Sequence, residues 1–376
     1  MKAALEFVTS MEFWRMAVLW TFCLLISYWK LFLQPNSNSR PSNSSPSTSP
    51  SGFRPVCVIT GATSGLGAAA AHALSARGFF VVLVGRSSHL LAKTITDIKT
   101  QNENAHLKAF EVDVASFHSL LQFKASLQQW LSNSEMHPSI QLLINNAGIL
   151  ATSSRLTSQG YDQMMATNYL SAFSLSKLLL PLLRNSPVPS RIVNVTSFTH
   201  RSVLNIQINK DTVSGKCFSR PKQYPFAHVY ECSKLFLLLF SYELHRQRGL
   251  TDISRQVSVM YVLTLSPMSF PESAVDPGVV ETNIMREVPS CLSSLAFIVL
   301  KLLGLLQSPE IGVSSILDAA LSPPETSGVY YFGGRGRTVD SSVLSYNAKL
   351  GEELWDASTH LFLESQLASK ETITSE

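Results

Sequence analysis

Val56-Cys57-Val58-Ile59-Thr60 runs directly into Gly61-Ala62-Thr63-Ser64-Gly65-Leu66-Gly67, and an alanine-rich stretch follows from Ala68 to Arg77. The first five residues suit a buried strand, and the alanines suit a helix. Gly78 stops that helix, and Phe80 to Val84 reads as a second buried strand. Strand, glycine turn, helix and strand in this order make a βαβ unit, which commits the chain to an α/β fold built on a parallel sheet. Glycines at the first turn let the backbone approach a pyrophosphate, which would sit on the helix N-terminus. The spacing is Gly-x-x-x-Gly-x-Gly rather than Gly-x-Gly-x-x-Gly, and the competing reading is a tight turn without a ligand.

The second strand ends in Gly85-Arg86-Ser87-Ser88. A carboxylate there would accept hydrogen bonds from the adenosine ribose of NAD. An arginine and two hydroxyls suit a 2′-phosphate instead, so NADP is expected over NAD; the bland alternative is a surface arginine. Leu107 to Asp113 reads as a third strand. Leu142 to Ile144 reads as a fourth and leads into Asn145-Asn146-Ala147-Gly148, at the strand end where α/β sheets bind ligands. Asn168 lies in a helical run from Met164 to Leu180, and Arg191 to Val195 reads as a fifth strand ending in Thr196-Ser197. Tyr230 and Lys234, four apart, point the same way on a helix. An ammonium beside a phenol favours the phenolate, so the Tyr230 pKa is expected to fall toward neutrality. That would make Tyr230 a proton donor and acceptor for a carbonyl/alcohol pair.

In this order the motifs resemble the short-chain dehydrogenase/reductase family over about Arg54 to Tyr346. Arg191 to Val195, Asp276-Pro277-Gly278 and an apolar N-terminal segment are most similar to its membrane-associated, retinol-dehydrogenase-like branch. The resemblance implies a single doubly wound Rossmann domain with seven parallel strands and helices on both faces. It also implies roles. Tyr230 would be the general acid/base, and Lys234 would lower its pKa and bind the nicotinamide ribose. Ser197 would hydrogen-bond the substrate oxygen, and Asn168 would hold a relay water. Gly61, Ser64, Gly65 and Leu66, with Gly67, would form the phosphate turn. Asp113 would meet the adenine, Asn145 the adjacent ribose, and Pro277 and Thr282 the nicotinamide end. Thr196 stands where the family more often has serine, and it keeps the hydroxyl.

Outside this region, Met16 to Trp29 carries no charge, and the apolar run resumes across Lys30 to Leu33. That reaches the roughly 18 residues needed to cross a bilayer. Residues 1–33 are therefore read as an uncleaved membrane anchor, single-pass or monotopic; no small-x-small cleavage site follows. Lys2 and Arg15 precede the run while Lys30, Arg40 and Arg54 follow it, so charge leaves the orientation open. The resemblance points to the endoplasmic reticulum or another endomembrane, with the domain facing the cytosol. Residues 34–53 are a Ser/Pro/Asn linker expected to be disordered, with a formal sequon at Asn43. The net charge of +4 comes from scattered basic residues and gives no support for nucleic-acid binding. The five cysteines show no metal-ligand spacing and fit a reducing compartment.

One segment departs from the family pattern. Gln256 to Met260 reads as the sixth strand, yet Tyr261 to Ser273, thirteen residues with two prolines, separates it from Ala274. These residues are expected to loop out beside the cofactor site or break the strand, as an alternatively spliced or mis-assigned insertion would. Ser290 to Leu306 is apolar, either a buried helix over the cleft mouth or a lid that dips into lipid. Residues 347–376 are expected to be a C-terminal helix and tail. The reading is a membrane-anchored, NADP-preferring oxidoreductase for a lipophilic alcohol or carbonyl. Its alternative is a catalytically silent dinucleotide-binding regulator or scaffold.

Overall fold

The first strand, β1 (Val56–Thr60), lies between β2 (Phe80–Gly85) and β4 (Leu142–Asn145), and it is parallel to both. This is a computed structural model of the chain, and it describes residues 7–33, 53–134, 136–219, 223–258, 272–323 and 326–375. The sheet continues through β3 (Leu107–Glu111) beyond β2, and through β5 (Arg191–Val195), β6 (Glu272–Asp276) and β9 (Val329–Phe332) beyond β4. All seven strands are parallel, in the order β3-β2-β1-β4-β5-β6-β9. A parallel sheet must be covered on both faces, which is why β1 is buried at all five positions.

Alternation along each strand divides the core. Cys57, Ile59, Val81 and Leu83 pack with Ala70 and Leu74 of α2 (Gly65–Ser75), Leu91 and Ile98 of α3 (Ser88–Gln101), and Ile316 of α9 (Pro309–Ala320). On the opposite face Val56, Val58, Val82 and Val84 meet Leu120 and Phe123 of α4 (Phe117–Asn133). They also meet Leu175 and Leu179 of α5, a helix that begins at Gln163–Met165, widens to a π-turn over Ala166–Leu170 and continues as Ser171–Arg184. The strand order reverses between β1 and β4. A crevice therefore opens above their carboxyl ends, where the Gly61 turn and Asn145-Asn146-Ala147-Gly148 emerge.

Three expectations change here. Gln256–Ser258 belong to the long helix α7 (Phe226–Ser258) and are not a strand. The sixth strand starts at Glu272, inside the expected insertion, and pairs Ile192↔Glu272 through Val195↔Val275. Alternating valines at 257 and 259 mimic a strand, but the helix that carries Tyr230 runs on through Val257 to Ser258. Glu272 and Ser273, the described end of the supposed insertion, thus form the amino-terminal end of this strand, opposite Ile192 and Val193. Residues 259–271, like the linker 34–52, lie outside the described residues. Third, α8 (Ser290–Leu302) has no buried residue, which sets aside the buried-helix alternative of the two readings of Ser290 to Leu306. Residues 348–375 form one helix, α10 (Ala348–Ser375), which docks Leu354 and Leu361 against the core that holds Tyr169 and Phe236.

Two further elements matter for the crevice. The N-terminal helix α1 (Met11–Leu33) is long and apolar enough to cross a membrane, yet it lies against the domain, with Met16, Cys23, Leu24 and Ser27 buried. Val279–Val280 (β7) and Leu306–Gln307 (β8) form a small parallel pair that brackets α8.

Candidate active site

A cleft of ≈ 1100 Å³ runs from the Gly61 turn to α1 and α8. At one end Gly61 has φ +65°, and a Cβ there would press on Ala147 Cα at 3.0 Å. Gly67 faces Gly61 O and Asn146 Nδ2 so closely that no side chain fits between them. Gly61, Ser64, Gly65 and Leu66 line the cleft, while Gly67 lies behind them and permits the turn. Helix α2 opens at Ser64 without a side-chain cap bond, so its first N–H groups are not claimed by the capping residue.

Arg86 is exposed, lines the same end of the cleft, and follows β2 directly. Of its two hydroxyl neighbours, Ser87 is spent as the cap of α3, accepting from Leu90 N at 3.3 Å. Two predicted contacts are placed otherwise. The Asp113 carboxylate accepts from Ala115 N at 3.1 Å and closes its own turn, leaving Val112 and Val114 to line the cleft. The Asn145 side chain is buried below the cleft, where its Nδ2 donates to Asn194 Oδ1 at 2.8 Å. The cleft-lining member of the pair is Asn146, whose Nδ2 donates to Thr60 O at 2.9 Å. Spacing alone cannot tell which of two adjacent asparagines at a strand end turns inward.

The other end holds Ser197, Tyr230 and Lys234, all buried and all lining the cleft. Ser197 leaves β5, Tyr230 and Lys234 stand one turn apart on α7, and the Ser197 hydroxyl lies near the Tyr230 phenol. Lys234 Nζ donates to Val195 O at 3.0 Å, and it lies 5.6 Å from the centre of the Tyr230 ring. Burial pushes the Lys234 pKa down to about 8, opposed by the charge of Asp276. The Tyr230 pKa is raised, against the expected fall. Burial of the phenol is the main cause and Asp276 adds to it, while Ser197 opposes them. Lys234 Nζ points to a carbonyl of β5, and the cost of desolvating the phenolate outweighs what favours it.

Asn168 sits within the π-turn of α5, a widening that often marks a functional position. Its Oδ1 accepts from Ile149 N at 2.8 Å, and its Nδ2 donates to Ile149 O at 2.9 Å and Ser233 Oγ at 3.1 Å. These bonds tie the end of the Asn-Asn-Ala-Gly loop to α7. Asn168 Oδ1 and Lys234 Nζ each border the space above Gly148. Pro277 and Thr282 line the cleft, delivered there by β6 in register with β5.

Sequence reasoning passed over Asp276 itself. It is fully buried, accepts from Gly278 N and Tyr330 OH at 2.8 Å each, and its pKa is raised to about 6, chiefly by burial. It also missed Trp20, whose ring centre lies 5.6 Å from that of Tyr230.

The model of the short chain dehydrogenase family matches residues 55–206. Human polyprenol dehydrogenase is 31% identical over 313 residues, which cover 81% of this chain and 84% of that protein. The chain belongs to the short-chain dehydrogenase family. Like other members it is an NAD(P)-dependent oxidoreductase. It is also 31% identical to the Arabidopsis thaliana dehydrogenase/reductase FEY over 71% of this chain and 65% of that one. Human retinol dehydrogenase 13 is 28% identical over 73% and 75% of the two chains. Among solved structures, an uncharacterised protein from Mycobacterium paratuberculosis superposes with a TM-score of 0.60 at 25% identity, covering 82% of this chain and 94% of that one. The residues fit the family's dinucleotide. The missing Cβ atoms of Gly61 and Gly67 leave the backbone bare where a pyrophosphate would lie, beside an open helix N-terminus.

Proposed function

We propose that this short-chain dehydrogenase transfers hydride between NADP(H) and a lipophilic alcohol or carbonyl, with Tyr230 as the proton donor and acceptor. One observation carries the reading: a single cleft joins the Gly61 turn and Arg86 at one end to the Ser197–Tyr230–Lys234 cluster, and closes with apolar side chains. Gly61, Ser64, Gly65 and Leu66 hold the pyrophosphate against α2, and Arg86 takes the 2′-phosphate. Lys234 and Asn146 face the nicotinamide ribose, with Pro277 and Thr282 beside the ring. The nicotinamide, when bound, supplies or accepts the hydride.

The chain's own groups handle the proton. Ser197 Oγ and Tyr230 OH converge on one point, where a substrate oxygen accepts from both. In reduction Tyr230 gives its proton to the oxygen as negative charge develops there. In oxidation it takes the proton back. A raised pKa keeps Tyr230 protonated and ready to donate, and a cationic nicotinamide ring beside it would bring that pKa down. Asn168 holds the Ile149 turn and the floor above Gly148, where a water can link Lys234 to solvent.

The relatives named for polyprenol and retinol support a lipophilic substrate, as do Met16, Leu24, Leu292, Leu295 and Val299 around the outer cleft. The length and apolar composition of α1 support membrane association, and an endomembrane with the domain facing the cytosol is the setting proposed. The test is oxidation of NADPH and NADH with aldehydes of rising chain length, using the full chain in membranes. Turnover with NADPH and a C20 or longer isoprenoid aldehyde, lost in Tyr230→Phe, is the expected result. NADPH binding without turnover of any alcohol or aldehyde would instead support the silent dinucleotide-binding reading.

A further inference from the structure

One wall of the cleft comes from the N-terminal helix. Phe13, Met16, Trp20 and Leu24 of α1 line the cleft, and the Trp20 ring lies beside Tyr230. The helix is fastened there by Glu231, the residue after Tyr230. The Glu231 side chain is fully buried, and α1 supplies its counter-charge. Arg15 Nη1 and Nη2 each donate to Oε2 at 3.0 Å, Nη2 reaches Oε1 at 3.1 Å, and Trp20 Nε1 donates to Oε1 at 2.7 Å. Two turns further along, Cys23 Sγ is 3.3 Å from Ser202 Oγ and Arg201 Nε donates to Ser27 Oγ at 3.1 Å.

A helix that left the domain to cross a bilayer would strip Glu231 of these donors and open one side of the cleft. A buried carboxylate without its partner is strongly unfavourable. The outward side of the same helix is different. Trp14, Val18, Phe22, Leu25, Trp29 and Phe32 are exposed at helical spacing, with no polar tie among them. The helix thus makes its polar ties on the domain-facing side, among apolar side chains that line the cleft, and turns an apolar side outward. That is the pattern of a helix lying in a membrane surface rather than through it.

We propose that α1 is the substrate-side wall of the active site, latched beside Tyr230 by Arg15 and Trp20, and that Trp20 is a positioning residue for a long apolar substrate. Only the substrate part of this rests on the oxidoreductase reading; the latch does not. The chain of an apolar alcohol or aldehyde lies between Trp20 and Leu24 of α1 and Leu292 and Leu295 of α8, with its oxygen toward Ser197 and Tyr230. The exposed faces of α1 and α8 flank the opening, so the substrate reaches the cleft from lipid.

A crosslink in membranes tests the latch without turnover. Ser202→Cys places a second thiol against native Cys23, and a protease site inserted within residues 34–52 allows α1 to be cut from the domain. After oxidation and cleavage, residues 1–33 should stay with the domain on a non-reducing gel. They should separate on reduction, and separate without reduction in the Cys23→Ser/Ser202→Cys control. Crosslinking in detergent but not in the membrane would overturn the latch. For the substrate role, Trp20→Ala should raise KM for a C20 isoprenoid aldehyde about tenfold or more, a larger change than in kcat, with Trp20→Phe restoring part of it. An unchanged KM in Trp20→Ala would overturn that role. Absence of turnover in the unsubstituted enzyme, with the crosslink intact, would overturn the oxidoreductase reading and leave the latch standing.

Discussion

The Thr196 hydroxyl donates to the Lys234 carbonyl oxygen at 2.8 Å. A side chain at the end of β5 therefore ties β5 to α7 within the turn that carries Tyr230 and Lys234. The family's usual serine at this position could make the same bond. Thr196→Ser should remain close to the parent enzyme. Thr196→Val keeps the shape and loses the donor, removing one buried hydrogen bond to a helix carbonyl. Urea unfolding should show a loss of about 1–2 kcal/mol, and steady-state assays should show a lower kcat. A Thr196→Val enzyme of full stability would show that the bond is dispensable.

Tyr230→Phe removes the proton donor and keeps the ring packed beside Trp20. The proposed role predicts a fall in kcat of about 10²–10⁴-fold. NADPH affinity, read by fluorescence titration, should stay within a few-fold, because the dinucleotide end of the cleft is untouched.

Arg86 governs the choice of dinucleotide in the proposed reading. Arg86→Ala should raise KM for NADPH by roughly 10–100-fold, the scale of a lost charge-assisted phosphate contact, and change KM for NADH little. The NADPH effect should shrink as salt rises, since Arg86 is exposed. Equal effects on both dinucleotides would remove Arg86 as the discriminating residue.

Asp276 links stability to pH. Its folded-state pKa, about 6, stands above the ordinary 3.8, mainly through burial. Between those values the folded chain holds a proton that the unfolded chain has released, so this group's contribution to stability falls as pH rises through the window. Above the window the penalty is complete, of order 3 kcal/mol. Asp276→Asn also weakens the ties to Gly278 and Tyr330, but at a cost that does not vary with pH. Urea midpoints measured at pH 4 and pH 7 should therefore move in favour of the variant at the higher pH. A gap between the two proteins that stays constant would sink this assignment.

Gly67→Val places a side chain where Gly61 O and Asn146 Nδ2 already meet. The turn must open, and loss of NADPH binding by at least about tenfold is expected, with unfolding at lower temperature.

The β1-α2-β2 unit was legible because its signals are local: apolar strand, bare turn, alanine helix. So were Ser197, Tyr230 and Lys234, because the motif places them by spacing within one strand end and one helical turn. The direction of the Tyr230 pKa was not legible. It depends on how deeply the phenol is buried and on Asp276, brought next to it by β6. Gln256 to Met260 misled because alternating valines look alike in a strand and near a helix end, and only the paired partner decides. Glu231 looked like an ordinary position between Tyr230 and Lys234. Its partner Arg15 is 216 residues away in sequence, and no window along the chain could have joined them.

The strand β6 enters the sheet at Glu272, opposite Ile192, and delivers Pro277 and Gly278 to the cleft five and six residues later. Chain length just before Glu272 is therefore uncoupled from the chemistry: the strand acts as a ruler measured from its paired end. An epitope or a fluorescent reporter could be spliced in ahead of Glu272 without altering the reach of the residues that follow, which makes this junction a natural handle for watching the enzyme in living cells.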